Sequence, residues 1–249
     1  ETFPLCWSPH TMNVPASVDP SKDQTRSDLC AFLQKLGIRL NMPQITIASA
    51  IVFFHRFFCK YSFEEQPPES VAFACLFLAS KIEESPVRLK DLIFTMLVEK
   101  GKTPKAESAE YEWWRREILK KERNVLQILG FDFQIEHPYA NMLTKVKQLQ
   151  NDNHKILAQF AWNFINDSLR TTLCIQYDPK EIASTCIYLA AKYLKSSLEG
   201  SKWRDVLDCP METIEKISHQ ILDLYEPVKP GNETPTVTPE KQTERNEPK

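Results

Sequence analysis

Apolar residues recur at helical spacing along most of the chain, and one stretch is apolar on every side. It comprises residues 71–79, nine consecutive apolar positions. A run of this length fits either a buried strand or a buried helix. Pro67, Pro68 and Glu69 precede it, and proline in the first turn with an acid near the positive end of the helix dipole is typical of a helix start. The pattern therefore predicts a fully buried central helix that ends near Pro86.

The pattern occurs twice. A shift of 111 positions aligns identical residues, pairing Pro68, Ala72, Cys75, Leu78, Ala79 and Lys81 with Pro179, Ala183, Cys186, Leu189, Ala190 and Lys192. A shift of 93 aligns Glu122 and residues 127–129 with Glu215 and residues 220–222. The difference between the shifts places 18 extra residues in the first copy, around residues 99–110. The sequence therefore predicts an all-α protein built by tandem duplication of a helical unit.

The elements group into four segments. We expect an extended N-terminal arm at residues 1–22, a first unit at 23–137, a second at 138–226 and a disordered tail at 227–249, where large apolar residues vanish. Besides the central helix, the periodicity predicts helices at 23–40, 45–58, 89–97, 113–129, 139–149, 154–169, 179–194 and 211–225. Gly130 is predicted to cap the helix that ends at Leu129.

Composition narrows the function classes. The chain has five glycines and a net charge of −2, which disfavours a glycine-rich nucleotide fold and gives no overall attraction to nucleic acid. Seven cysteines without a Cys-x-x-Cys pair indicate reduced core thiols of an intracellular protein. No signal peptide or long apolar span is present, and a start at Glu1 rather than Met suggests a fragment. We predict no catalytic site, cofactor or metal site, because no phosphate loop, nucleophile elbow or ligand spacing occurs.

A basic cluster follows Trp113 and Trp114. It comprises Arg115, Arg116, Lys120, Lys121 and Arg123. Nucleic-acid binding is one interpretation, but the charges spread around the helix and glutamates interleave with them. A solvated helix face is the favoured interpretation.

Glu122 lies within the apolar stripe of its helix, four residues after Ile118 and three before Val125. A carboxylate in that position needs a partner, because burying it unpaired is costly. Lys81, one turn beyond Phe77 on the central helix, is the candidate. Two interpretations stay open: an internal ion pair, with Lys192 and Glu215 as its equivalent, or two groups at the rim of the core that face a partner.

Several strings carry a family resemblance. They are IASAIVFFHRFF, LFLASKIEESPVRLKDLI, VLQILGFDFQIEHPY, AWNFINDSLRTTL and CIYLAAKYL. Two copies of a five-helix unit with these strings resemble the paired cyclin boxes of a cyclin, especially the transcription-associated T, K and L groups. The resemblance covers about residues 3–225 and implies that each unit is a cyclin-box bundle.

The resemblance implies a regulatory subunit, not an enzyme. Its partner would be a transcriptional cyclin-dependent kinase acting on the C-terminal repeat tail of RNA polymerase II or on splicing-linked substrates. The family's kinase-binding positions correspond to Lys81, Glu122, Leu78, Ile82, Phe131 and Phe133. It further implies a nuclear protein, monomeric when free and heterodimeric with its kinase, with no obligatory nucleic acid and no membrane.

One segment departs from the family pattern. Cell-cycle cyclins recruit substrates through a Met-Arg-Ala-Ile-Leu string on the first helix, where this chain has Thr25, Arg26, Ser27, Asp28 and Leu29. The polar residues favour a transcriptional cyclin over a cell-cycle one. Two alternatives remain: a DNA-binding general transcription factor of the IIB type, against which the net charge and the missing zinc ribbon count, and a helical scaffold with no kinase.

Overall fold

The computed structural model describes residues 20–106, 108–149, 154–196 and 202–225. Within these ranges the chain forms α-helices and no β-strand, which confirms the all-α prediction. The first copy contains α1 (Pro20–Arg39), α2 (Gln44–Phe57), α3 (Pro68–Ile82), α4 (Leu89–Glu99) and α5 (Ala109–Leu129). The second contains α6 (Pro138–Gln148), α7 (His154–Ser168), α8 (Leu173–Gln176), α9 (Pro179–Tyr193), α10 (Lys202–Leu207) and α11 (Met211–Leu222), followed by a 3-10 turn at Asp223–Tyr225.

The central helices of the two copies are α3 and α9. Both have 15 residues and start at prolines that lie 111 positions apart, Pro68 and Pro179. Residues 70–80 of α3 are all buried, since α1, α2 and α5 pack around it. In the same way α6, α7 and α11 surround α9. The duplication seen in the sequence is therefore a duplication of a helix bundle around one apolar helix.

The predicted helix ends are close to those observed, with two instructive differences. The central helix α3 ends at Ile82, four residues before Pro86, where Glu84 adopts a left-handed φ of 51°. The helix α5 begins at Ala109 rather than Trp113, because Ser108 caps it by accepting a hydrogen bond from the Tyr111 amide at 3.2 Å. Part of the predicted loop at 99–110 is therefore helical. The predicted arm at 1–22 lies almost wholly outside the described residues, as does the tail at 227–249.

Two short helices of the second copy were not predicted. They are α8, of four residues, and α10, of six. Segments this short contain too few turns to show a helical period, so the hydrophobic pattern could not reveal them. The helix α8 contacts α2 of the first copy and thus belongs to the junction between the copies.

The copies meet through polar groups as well as apolar ones. The Gln44 amide donates to the Tyr139 hydroxyl at 3.2 Å and to Asn166 Oδ1 at 3.0 Å, and the Tyr139 hydroxyl donates to the same Asn166 oxygen at 2.9 Å. His55 of α2 is fully buried and donates from Nε2 to the Leu169 carbonyl at 2.9 Å. Because a carbonyl only accepts, this ring carries its proton on Nε2. Burial lowers the pKa of His55 to about 3, so the ring is neutral.

The described residues contain neither a candidate membrane span nor a candidate metal site. None of the helices is both long and apolar enough to cross a membrane. No cluster of three or more metal-ligating side chains occurs in the same part of the chain. The six cysteines within it are free thiols, of which Cys30, Cys75 and Cys186 are buried in the core.

Candidate partner-binding surface

The Lys81 and Glu122 side chains meet at the edge of the first copy. Lys81 occupies the last turn of α3, and Glu122 lies on the buried face of α5, which packs directly against α3. Lys81 Nζ donates to Glu122 Oε1 at 2.5 Å. The lysine also lies over the Phe77 ring, with Nζ 4.0 Å from the ring centroid, a cation–π contact. This contact is the one that the internal-pair interpretation expects.

The pair is accessible from one side only. The Glu122 side chain is 10% exposed and the Lys81 side chain 46% exposed. The internal-pair interpretation is supported because the two residues join α3 to α5. The partner-facing interpretation is also supported, because the lysine reaches the surface. An ammonium group has three N–H donors, so the contact with Glu122 leaves Lys81 two for other acceptors.

The second copy has no equivalent pair. Lys192 and Glu215 are both exposed, and among the described residues they form no ion pair with each other. Lys192 instead lies over the Tyr188 ring at 5.4 Å. The expected second pair is therefore wrong, because the positions match along the chain while Glu215 points to solvent instead of into the seam between helices.

The chain leaves α5 in an unusual backbone conformation. Gly130 caps the helix with a left-handed φ of 61°, as predicted, and Phe131 adopts a left-handed φ of 60° as well. This conformation is unfavourable for a residue with a bulky side chain. It projects the Phe131 ring outward, where 67% of the residue is exposed. Phe133 is half-buried, with its ring edge-on to Phe131 at 6.0 Å and to the buried Phe53 at 6.1 Å.

Two side-chain contacts are seen among the six candidate residues. Lys81 touches Glu122, and Phe131 touches Phe133, so that two pairs flank the C-terminal half of α5. Ile82 is half-buried at the end of α3. Leu78 is 4% exposed and belongs to the apolar core, so most of its surface is already covered by the chain itself.

Sequence reasoning missed a polar cluster beside this surface. Ser49 Oγ donates to Glu83 Oε1 at 2.6 Å and lies 2.8 Å from His137 Nε2, which donates to it. The cluster links α2, the end of α3 and the segment before α6. Desolvation lowers the pKa of His137 to about 4, so the imidazole is neutral. No periodicity marks such a cluster, since its members lie far apart in sequence.

Lys121 also differs from its expected place on a solvated face. It is 6% exposed and donates to Gln66 Oε1 at 2.6 Å. Arg115, Arg116, Lys120 and Arg123 are exposed, as expected. Arg26, from the segment that departs from the cell-cycle pattern, is turned inward and lies over the Phe63 ring at 5.0 Å.

Comparison with known families agrees with this architecture. Residues 6–134 match the family described as cyclin, N-terminal domain, and residues 137–224 match the one described as cyclin-T2-like, C-terminal domain. The chain belongs to the cyclin family. The two matches cover the two copies in turn, so each helix bundle of this cyclin corresponds to one family domain.

Named relatives come from the T, K and L groups, as the sequence resemblance predicted. Cyclin-T1-5 of Arabidopsis thaliana is 44% identical over 210 residues, covering 81% of this cyclin and 36% of the relative. Human cyclin-K is 37% identical over 236 residues, covering 87% and 39%. Cyclin-L1 of Danio rerio is 37% identical over 229 residues, covering 88% and 46%. The chain thus spans less than half the length of these relatives.

Solved structures share the fold. A chain of the yeast RNA Pol II CTD kinase CTDK-1 complex superposes with a TM-score of 0.70 at 21% identity, over 84% of this cyclin and 67% of that chain. A chain of the yeast TFIIK (Kin28/Ccl1/Tfb3) complex gives a TM-score of 0.58 at 20% identity, over 83% and 89%. These likenesses establish the two-bundle architecture.

Proposed function

We propose that this cyclin is the regulatory subunit of a transcriptional cyclin-dependent kinase. Its kinase would phosphorylate the C-terminal repeat tail of RNA polymerase II or splicing-linked substrates, in the nucleus. The observation that carries the proposal is the similarity to T, K and L cyclins over more than four fifths of the chain. A DNA-binding factor of the IIB type and a scaffold without a kinase have no such support.

The kinase-binding surface would be centred on Lys81 and Glu122. Kinases need an ion pair between a lysine of the sheet and a glutamate of the C-helix before phosphoryl transfer can occur. The free N–H groups of Lys81 suit carbonyl oxygens at the C-terminus of a partner helix, where backbone acceptors are unpaired. Glu122 can accept from partner amides with its remaining lone pairs. Both contacts would form only with one placement of the partner helix.

Apolar groups would complete this surface. Ile82 and Phe133 are half-buried and Phe131 is exposed, so a partner helix that covers them removes apolar area from water. Leu78 would support the surface from the core. We assign this surface to the first unit, residues 23–137, and leave the second unit, residues 138–226, away from the C-helix.

The mechanism is a shift of population. The cyclin performs no bond chemistry; it binds the active arrangement of the kinase more tightly than the inactive one. Changing a kinase from 1% to 99% active needs a preference of about 10⁴-fold. Contacts of Lys81 and Glu122 with the kinase C-helix can supply such a preference, because both contacts are lost when that helix moves away from its active position.

Single and double substitutions test the proposal. The kinase is captured from nuclear extract, identified and purified, and its affinity is measured for Lys81→Ala, Glu122→Ala and the double variant. We expect losses of about 2–5 kcal/mol for the single variants, as for truncation of a buried interfacial charge contact. Lys192→Ala and Glu215→Ala are the matched controls and should bind normally. Full binding by a well-folded double variant, or equal losses in the controls, would contradict the proposal.

Phe131→Gly is a sharper variant. Glycine adopts a left-handed φ without strain, so removing this exposed ring should leave the free cyclin at least as stable. Kinase affinity should fall by about 1–3 kcal/mol, the value of a large apolar side chain removed from contact. Unchanged affinity would exclude Phe131 from the interface while leaving Lys81 and Glu122 to be judged separately.

A further inference from the structure

One exposed arc of α5, from Trp113 to Gln127, carries three cations and no carboxylate. Trp113, Arg116, Lys120, Arg123 and Gln127 are all exposed. Their spacing of three, four, three and four residues places them within an arc of about 80° around the helix axis. We call these five residues the α5 stripe. The basic residues that seemed scattered in sequence thus include three that share one face.

The carboxylates of α5 do not neutralise this stripe. Each of the four glutamates of α5 is already paired with a cation that does not belong to the α5 stripe. The pairs are Glu110–Lys102 at 2.5 Å, Glu112–Arg115 at 3.7 Å, Glu117–Lys121 at 3.7 Å and Glu122–Lys81 at 2.5 Å. Within the described ranges no ion pair involves Arg116, Lys120 or Arg123. Three positive charges therefore stay uncompensated in a row.

The corresponding helix of the second copy lacks this feature. The helix α11 has 12 residues against 21 in α5, so the turns that carry Trp113 and Arg116 have no counterpart there. Lys120 corresponds to Thr213 by the shift of 93, and Arg123 to Lys216. Lys216 is neutralised by Glu212 at 2.7 Å. The stripe thus arises from the longer α5 of the first copy and is not a general property of this helix.

The spacing of the charges suits a short, multiply charged anion. Arg116 and Arg123 are seven residues apart on a helix, a rise of about 10 Å. In a polyproline II segment, which has three residues per turn, side chains three residues apart lie on the same side and are separated by about 9 Å. Two phosphoserines at that spacing would meet the two guanidinium groups, which bind phosphate through paired hydrogen bonds, with Lys120 between them. Trp113 offers an apolar ring at the end of the row.

The charge of the rest of the chain favours a peptide over a nucleic acid. The net charge of the whole chain is −2, so beyond these three cations the chain carries no excess of positive charge. A long polyanion would extend beyond the three cations, and a chain without an excess of positive charge offers it little further attraction. A phosphorylated peptide of a few residues can be matched by the stripe alone.

We propose that the α5 stripe binds a phosphorylated segment of the kinase's own substrate. This inference rests on the proposed function, since it takes the substrate to be a repeated, serine-containing tail. Glu122 faces the core side of α5 and the stripe faces solvent, so the helix can serve both partners at once. A segment already phosphorylated would be held beside the kinase, which raises the effective concentration of the next serine.

Peptide binding to the purified cyclin tests the inference. The probe is a fluorescent serine- and proline-rich repeat peptide with two phosphoserines three residues apart, followed by anisotropy at low salt. The triple variant Arg116→Gln, Lys120→Gln, Arg123→Gln should weaken binding by about tenfold or more, as three exposed charge contacts are lost. Added salt should weaken binding to the unaltered cyclin, because exposed charges are screened. The unphosphorylated peptide should bind weakly to both proteins.

The matched control removes the same charge from the second copy. Lys155, Lys180 and Lys195 are exposed, and their replacement by glutamine should leave phosphopeptide affinity unchanged. Equal weakening by both triple variants, or none by the first, would overturn the inference. Tighter binding of a single-stranded oligouridylate than of the phosphopeptide would also overturn it, in favour of nucleic acid.

Kinase measurements separate this inference from the proposed function. The stripe triple variant should keep full kinase affinity and full activity on an unphosphorylated peptide, and lose only the preference for a substrate that is already phosphorylated. Loss of kinase affinity in that variant would place the stripe inside the kinase interface and contradict the inference. Phosphopeptide binding is measured on the free cyclin, so it gives a result even where the Lys81 and Glu122 variants bind kinase normally.

Discussion

The central helices of the two copies have the same length and the same role but are packed by different chemistry. In α3, Phe73 lies between the rings of Phe32 at 5.8 Å and Trp114 at 5.5 Å. The corresponding position of α9 is Ser184, whose hydroxyl accepts from Lys145 Nζ at 2.7 Å and lies 2.6 Å from the Leu207 carbonyl. A duplicated bundle can thus keep its helix positions while one core becomes aromatic and the other partly polar.

The surfaces of the two copies also differ, in their charged and exposed apolar residues. The first copy has an ion pair at its rim, an exposed phenylalanine and an uncompensated basic stripe. In the second copy Lys192 and Glu215 stand apart, and Lys216 of α11 is neutralised by Glu212. The helices that carry these features match one another, so the difference in surface charge reflects side chains and helix length. The comparison supports the proposal that the kinase binds the first copy.

The largest expected effect concerns the two cores. Phe73→Ala should lower the free energy of unfolding by about 3–5 kcal/mol, because it leaves a cavity among rings that cannot close over it. Ser184→Ala should cost about 1–3 kcal/mol, since Lys145 loses an acceptor. Urea denaturation followed by far-UV circular dichroism measures both. Equal losses would show that the two cores are not packed as differently as the contacts indicate.

Acidification should act on the junction between the copies. His55 and His137 have pKa values of about 3 and about 4, below the ordinary value of about 6.5. The unfolded chain therefore binds more protons than the folded one in this window. Stability is complete above pH ~6.5 and is lost as the pH falls, by about 2 kcal/mol for each histidine at pH ~5.

Denaturation curves between neutral pH and pH ~5 measure this loss. A His137→Gln variant should show a shallower dependence, because one of the two titrating groups is gone. His219→Gln is the control, since its side chain is exposed and outside the junction. An unchanged slope in the His137 variant would contradict the assignment of the loss to the junction.

The residues that end α5 and α11 differ in backbone conformation, and we expect a smaller difference in stability from them. Gly130 has a left-handed φ of 61°, whereas the corresponding Asp223 has a φ of −56°. Gly130→Ala should destabilise the protein by about 1–2 kcal/mol, since a Cβ is unfavourable in that conformation. Asp223→Ala should change stability by less than about 0.5 kcal/mol. Thermal melting of the two variants measures the difference, and similar shifts in both would contradict it.

The smallest expected effect is on the free energy of unfolding of the free cyclin when the Lys81–Glu122 ion pair is removed. Glu122→Ala should cost about 1 kcal/mol or less, because the Lys81 ammonium is half-exposed and regains water. Glu215→Ala should cost nothing measurable. Chemical denaturation of both variants provides the values. A loss of about 3–5 kcal/mol for Glu122→Ala would mark the pair as a buried internal link.

Sequence pattern predicted what depends on apolar periodicity and on strong local signals. The central helix, its repetition and the cap at Gly130 all follow from residues within one or two helices, whereas the pairing of Lys81 with Glu122 was one of two interpretations that the pattern left open. The cluster of Ser49, Glu83 and His137 could not be predicted in this way, because its members come together only through packing. The short helices α8 and α10 lack a readable period.

Prediction from the sequence also failed where side-chain partners decide the outcome. Lys121 and Lys120 are neighbours in the chain, yet Lys121 is buried against Gln66 and Lys120 is exposed. Lys192 and Glu215 match a pair in the first copy without forming one. The signal for the α5 stripe was present, since Arg116, Lys120 and Arg123 follow the helical spacing, but knowing which glutamates were already engaged required the fold.

The equal length of α3 and α9 has a consequence for the folding pathway. Two central helices of the same length create a risk of misassembly. During synthesis or refolding, one helix could dock in the bundle of the other. Ser184 of α9 offers its hydroxyl to Lys145 of α6, and a phenylalanine in its place would remove that acceptor. The reverse exchange would leave a void beside Phe32 and Trp114. The difference between ring and hydroxyl thus makes each central helix fit its own bundle better than the other one.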